Sequence, residues 1–242
     1  MMKNPVFKFG GFLAILWMAV SCQEQPVSLE ALLDDESSFF AVKPVGSDTA
    51  VPRVFEILVE QPLDHHHPKR GTFTQRIFLS HIDATRPVVL VTEGYAAMRN
   101  YTSEPAWLLN ANQIIVEHRY FGRSVPDSGI FDWKYLTIEQ AANDHHKIVE
   151  IFKKLYPGKW INTGVSKGGQ TTMYHRYFFP EDVDVSVPYV GPLNFSVEDP
   201  RIYLFLDTVA TPECRRKIRD FQLRMLQDRD TMFPWFMRAA DT

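Results

Sequence analysis

Trp160-Ile161-Asn162-Thr163-Gly164-Val165-Ser166-Lys167-Gly168-Gly169 decides how this chain is read. Its first four residues read as a short strand, and Lys167 to Phe178 as a helix ended by Pro180. Between them stands Gly164-x-Ser166-x-Gly168. A serine on a sharp strand-to-helix turn has its hydroxyl exposed above a sheet. Residues two before and two after it pack against each other, so side chains there would clash. The pattern predicts Ser166 as a nucleophile, with Gly164 and Gly168 as the glycines of its elbow. The N–H of Lys167 points to where an oxyanion would develop, in the favourable field of a helix N-terminus. The bare pattern recurs by chance; its strand–turn–helix setting gives it meaning.

Working outward, Pro87 to Thr92 is a continuous apolar run, expected of a strand buried on both faces of a parallel sheet, and Gln113 to Glu117 reads as a second buried strand. A short helix is expected around Glu104 to Asn110. From Ile138 the apolar positions Ala141, Ala142, Ile148, Val149, Phe152 and Leu155 recur at helical spacing. Thr137 and Gln140 form a capping box there, and Pro157-Gly158 stops the helix. Val183 to Val190 is a fourth apolar strand. Strands alternating with helices define an α/β fold with a mostly parallel sheet and right-handed crossovers. Val54 to Val59 and Thr72 to Leu79 flank a turn containing Pro68 and Gly71, and read as an antiparallel opening pair. After Gly191-Pro192 the chain turns helical, with an interruption at Pro234 and no further strand. Residues 53–196 therefore read as the N-terminal part of an α/β-hydrolase core. Residues 197–242 read as the start of an inserted helical cap, cut short.

A second oxyanion donor is expected from the loop after the earlier core strand. That loop begins Glu93-Gly94-Tyr95, so the backbone N–H of Gly94 or Tyr95 is the candidate; Gly94 also reads as a plain turn residue. Glu117 stands at a strand's C-terminal end, the edge where α/β folds bind ligands. Together with His118-Arg119-Tyr120-Phe121-Gly122 it reads either as lining for a substrate pocket or as a structural salt-bridge and turn cluster. His65-His66-His67 do not share one face and read as an exposed turn rather than a metal site. Of His145 and His146 on the amphipathic helix, one is expected buried and one exposed. Neither a metal nor another cofactor is expected.

Composition sets the outer bounds. Of 242 residues 45% are hydrophobic and 23% charged, an ordinary globular balance. A formal charge of −3 from 26 basic and 29 acidic residues gives no field that points to nucleic acid. The two cysteines, Cys22 and Cys214, sit in dissimilar settings and show no metal-type spacing. Lys3 and Lys8 precede an apolar run of about a dozen residues, Phe9 to Val20, a length suited to a signal peptide and too short to span a bilayer comfortably. It ends Met18-Ala19-Val20-Ser21-Cys22, which resembles a bacterial lipobox, with Ala19 where Leu is commoner. Residues 1–21 are expected to be a lipoprotein signal, Cys22 the lipidated residue, and residues 22–52 a polar tether. Such an anchor holds a protein to the membrane of the cell envelope without spanning it.

Four stretches occur in order: Gln61-Pro62-Leu63-Asp64-His65, Gly71 to Arg76, Glu117 to Pro126 and Gly164 to Gly169. Together they resemble the secreted bacterial prolyl tripeptidyl aminopeptidases of the Streptomyces type, and more distantly the lysosomal prolyl carboxypeptidase and dipeptidyl peptidase family. The resemblance covers about residues 53–196. It implies an α/β-hydrolase core with an inserted cap, a peptide substrate containing proline, and Ser166 as nucleophile. Lys167 stands where the eukaryotic relatives carry an aromatic residue.

In this fold the triad runs Ser…Asp/Glu…His. Only His175 follows Ser166, nine positions along its helix and expected to point away. Asp199, Asp207 and Asp220 fall in the presumed cap. The chain is therefore expected to be a fragment that lacks both triad partners and is inactive alone. Two other classes stay open: an esterase or lipase of the same fold, and a non-catalytic surface lipoprotein.

Overall fold

The computed structural model describes residues 27–46, 53–126 and 132–240. The export signal and Cys22 lie outside the described residues. The chain divides into two units, Met1–Gly191 and Pro192–Thr242.

Within the first unit the run Val88-Val89-Leu90-Val91 shows how sequence becomes sheet. Successive strand side chains point to opposite faces. Val88 and Leu90 join one apolar cluster, Val89 and Val91 another. Both faces are covered, so the run cannot alternate with polar residues. Each such buried aliphatic side chain contributes about 1.5–3 kcal/mol relative to exposure.

Seven strands form the sheet: β1 (Phe39–Pro44), β2 (Arg53–Pro62), β3 (Thr72–His81), β4 (Val88–Thr92), β5 (Asn112–Val116), β6 (Trp160–Val165) and β7 (Val185–Tyr189). Their order is β1-β2-β3-β5-β4-β6-β7. β1, β2 and β3 are antiparallel neighbours, and β3 is antiparallel to β5. β5, β4, β6 and β7 run parallel. Helix α1 (Leu29–Asp35) and helix α3 (Ile138–Lys153) close one face through Leu29, Leu32, Ile148, Val149 and Phe152; helix α2 (Glu104–Leu109) adds Ala106 on the other. Helix α4 (Lys167–Phe178) leaves the end of β6. Thr92 pairs with Val116 and Val91 with Thr163, so the loops after β4, β5 and β6 open on one sheet edge.

Three sequence expectations need correction. The stretch expected as a tether contains α1 and β1, with Leu29 and Leu32 buried in the core and β1 paired along β2. Two buried leucines in a seven-residue helix leave too short a period to read. At the start of α3, Thr137 caps the Gln140 N–H at 3.2 Å, but the Gln140 side chain does not complete a box. It turns instead to Asp64 and to the His65 N–H.

The third concerns the second unit, which holds α5 (Pro200–Thr208), α6 (Pro212–Gln227) and α7 (Arg229–Ala240). Proline opens α5 and α6, where its missing N–H is harmless, behind the side-chain caps Asp199 and Thr211. Pro234 does not interrupt: α7 runs through it, giving up the hydrogen bond to the Asp230 carbonyl.

Candidate active site

Strand β6 passes into α4 through Ser166, whose φ of 57° and ψ of −120° lie in the sparsely occupied left-handed half of the map. Such a conformation costs about 1–3 kcal/mol in a non-glycine residue and persists only where the surroundings impose it. Here the Ser166 N–H donates to the Tyr189 carbonyl at 3.0 Å, and its carbonyl accepts from the Gln170 N–H at 3.1 Å. The residue is exposed, and its side chain does not cap its own helix. The first-turn N–H groups of α4, beginning with Lys167, thus have no cap from the serine.

Close packing fixes the turn. A Cβ on Gly168 would lie 2.7 Å from the Thr92 carbonyl oxygen, and one on Gly164 would overlap the Gly168 carbonyl. A Cβ on Gly94 would lie 2.5 Å from the Lys167 Cβ and 2.7 Å from the Gly168 nitrogen. The loop after β4 is therefore seated on the elbow, with Gly94 packed against Lys167 and Gly168. The Thr92 hydroxyl, 2.8 Å from that of Thr172, adds a tie between β4 and α4. We expect Gly164→Ala to destabilise the protein by about 1–3 kcal/mol, since no room exists for the methyl. An unfolding midpoint in urea equal to that of the parent would refute this account of the turn.

The Lys167 side chain is half-buried, its ammonium 4.8 Å from the Tyr95 ring centre and 4.3 Å from that of Phe121. Burial lowers its pKa. Phe121 meets Tyr95 and His118 edge-on, at 5.3 and 5.7 Å. His118 donates from Nδ1 to the Arg119 carbonyl at 2.8 Å, which places the neutral ring's lone pair on Nε2. Burial first, and the Lys167 charge second, push its pKa down to about 4. Lys167, His118, Ile138, Thr171 and Tyr174 line a cavity of about 220 Å³. The sequence reading of the Glu117-to-Gly122 stretch does not single out His118 or locate this cavity.

Glu117 does not line the site. It is fully buried, and its two oxygens accept from the Ala97 N–H (2.8 Å), the Arg123 N–H (2.8 Å), the Ser124 hydroxyl (2.9 Å) and the Arg76 guanidinium. Gly122, at φ 54°, is required beneath it: any Cβ there would overlap the carboxylate. The pocket reading is corrected to a structural carboxylate that holds the loops after β4 and β5.

Arg119 is a second buried clamp. Its Nε and Nη2 donate to Asp144 of α3 at 2.7 and 2.6 Å, while Nη1 reaches the Leu63 and Tyr135 carbonyls at 3.1 and 2.8 Å. Nη2 also meets the Pro62 carbonyl at 3.3 Å. Burial alone would raise the Asp144 carboxyl; Arg119, helped by His65, holds it below the ordinary range. His65 is therefore no free turn residue, since Nε2 sits 2.7 Å from Asp144 while His66 and His67 remain exposed. The Gln61 amide donates to Gln75 and to the Asp144 carbonyl, and Gln75 donates to the Glu117 carbonyl, so three of the four motif stretches meet in one polar network. Sequence did carry a signal for this, because Asp144 falls on the apolar face of α3, where a charge needs a partner.

The remaining histidines lie away from Ser166 chemistry. His175 accepts at Nδ1 from Asn162 and donates from Nε2 to Asp182 at 2.9 Å, fully buried. His146, half-buried, bonds the same carboxylate and stacks on Phe179. His145 is fully buried, and burial pushes its pKa down to about 3. Unfolded, His118 and His145 would protonate near the ordinary 6.5; folded, they resist until far lower. Their depressed values make the native state lose stability as pH falls below 6.5, with the full contribution present above it. We expect about 2 kcal/mol of loss per histidine at pH 5 relative to pH 7. Urea titrations at the two pH values test this; equal stabilities would contradict it.

A mixed sheet with a parallel core, β4 and β5 reversed in order, and a left-handed serine on the strand–helix turn define an α/β-hydrolase. A model of PS-10 peptidase S37 matches residues 39–239, so the chain belongs to that peptidase family. It is 38% identical over 190 residues to the prolyl tri/tetrapeptidyl aminopeptidase of Streptomyces mobaraensis, covering 78% of this chain and 39% of that relative. The chain thus spans well under half the length of the curated relative it matches. Among solved structures it is similar to an acetyl xylan esterase from a Paenibacillus species (TM-score 0.48, 14% identity, 83% of this chain and 67% of that one). It is also similar to acetyl xylan esterase 1 from a Thermoanaerobacterium species (TM-score 0.49, 13% identity, 79% and 64%).

Proposed function

We propose that the protein is a serine exopeptidase of tripeptidyl aminopeptidase type, acting on proline-containing peptides through an acyl-enzyme on Ser166. The observation that carries this reading is the strained, exposed serine on a glycine-packed elbow in a chain of a peptidase family. In this reading the Ser166 Oγ attacks the scissile carbonyl. The N–H of Lys167, with that of Gly94 or Tyr95, receives the oxyanion; one such donor is worth about 3 kcal/mol in the transition state. Collapse of the tetrahedral adduct expels the amine and leaves the acyl-serine, which water hydrolyses. Among the described residues no histidine hydrogen-bonds Ser166. We assign the base and its acid to the whole protein beyond these 242 residues, and read this chain alone as inactive.

The test is to assay the whole protein on Ala-Ala-Pro amides and on short acyl esters. Amide cleavage with release of the intact tripeptide is expected; ester cleavage alone would overturn the peptidase reading in favour of an esterase. We further propose export and lipidation at Cys22, with attachment to the cell envelope. Metabolic labelling with palmitate is expected to mark the parent and not Cys22→Ala; equal labelling would remove the anchor.

A further inference from the structure

Lys167 stands where a cation is poorly placed. Helix N-termini favour anions, yet the first residue of α4 is a lysine, half-buried beside the neutral His118. Among the described residues no carboxylate forms a salt bridge with it; its ammonium rests against the Tyr95 and Phe121 rings. The arrangement is held from behind: Phe121 is edge-on to His118, whose Nδ1 is fixed by the Arg119 carbonyl, and Arg119 is clamped by Asp144. Desolvation, with no charge to offset it, draws the ammonium toward neutrality. A ligand anion would reverse that. Space for one exists in the adjoining cavity of about 220 Å³, walled by Leu136, Ile138, Ala141 and Tyr174 and by the polar Thr137, Gln170 and Thr171; a charge pair beside these partly apolar walls is stronger than one in open water.

We propose that Lys167 and this cavity form a carboxylate subsite beside Ser166. It selects short peptides whose C-terminal carboxylate lies close to the scissile bond. The inference rests on reading the elbow cleft as a peptide site. It assigns the Lys167 side chain a role in specificity separate from that of its backbone N–H.

The test uses the whole protein carrying Ser166→Ala, so that binding is read without turnover. Three peptides are titrated by calorimetry: Ala-Ala-Pro-Ala as the free acid, the same peptide as its C-terminal amide, and Ala-Ala-Pro-Asp as its amide. The free acid is expected to bind about tenfold tighter than the amide, the effect of one partly desolvated charge pair. Lys167→Met should abolish that ratio and Lys167→Arg should largely keep it. Should the methionine variant fail to fold, the ratio is followed with salt in the Ser166→Ala protein, where screening should shrink it. Equal affinities for acid and amide, or a ratio that survives Lys167→Met, overturn the proposal. A gain for the aspartyl amide without one for the free acid overturns it likewise, because the C-terminal carboxylate is then not the ligand. Since the readout is affinity, absence of peptidase activity in the parent would defeat the functional reading and leave this ratio to decide the subsite.

Discussion

Ser166→Ala in the whole protein is expected to lower turnover of a proline-containing peptide amide by about 10⁶-fold, the effect seen when a triad serine is removed. The loss should fall on kcat and leave KM nearly unchanged, because the hydroxyl is used in bond making and contributes little to holding the substrate. The elbow would survive, since its geometry comes from Gly94, Gly164 and Gly168 and from the bond between the Ser166 N–H and the Tyr189 carbonyl. A variant retaining even a tenth of parental kcat would remove Ser166 from the mechanism. The same logic gives a companion result for residues 23–242 alone. A serine with no base is a weak nucleophile, so a fluorophosphonate probe should leave that polypeptide unlabelled. Stoichiometric labelling at Ser166 would show that a base is present after all.

The second large effect concerns stability. Arg119→Met should destabilise the fold by about 3–5 kcal/mol, because it strands the fully buried Asp144 carboxylate. For a chain of this size that corresponds to roughly 10 °C in melting temperature. Replacing both members of a buried ion pair often restores stability. Here Arg119→Met with Asp144→Leu should recover only part, since Leu63, Pro62 and Tyr135 would each keep a carbonyl that has lost its donor. Thermal unfolding of the parent, the single and the double variant checks both statements. A single variant as stable as the parent would show that the clamp contributes nothing.

These two outcomes separate what the sequence could reveal from what it could not. The elbow is a local motif: five consecutive residues dictate a turn, a strand before it and a helix after it, so Ser166, Gly164 and Gly168 were legible. The apolar stretches Val88–Val91 and Ile114–Val116 were legible for the same reason, since burial on both faces leaves no alternation with polar residues there. Glu117 was not. A charged residue at a strand end can face substrate or interior, and the choice depends on donors from Arg76, Ala97, Arg123 and Ser124. Arg76 and Ala97 stand far from it in sequence, brought to it by the sheet and the loop after β4. His65 was misread for a similar reason: its partner, Asp144, lies on another element. Strand β1 and helix α1 escaped because they are short, six and seven residues, and they pack on β2 and the core beneath them.

Strand β7 carries a practical consequence. It is the last strand of the sheet among the described residues, and Val185 on it is half exposed. Its outer row of peptide groups has no neighbouring strand, and an unpaired row of this kind is a template for another chain. Preparations of residues 23–242 are therefore expected to self-associate through this margin as concentration rises. Handling conditions, as much as chemistry, will then govern whether the elbow can be studied in isolation.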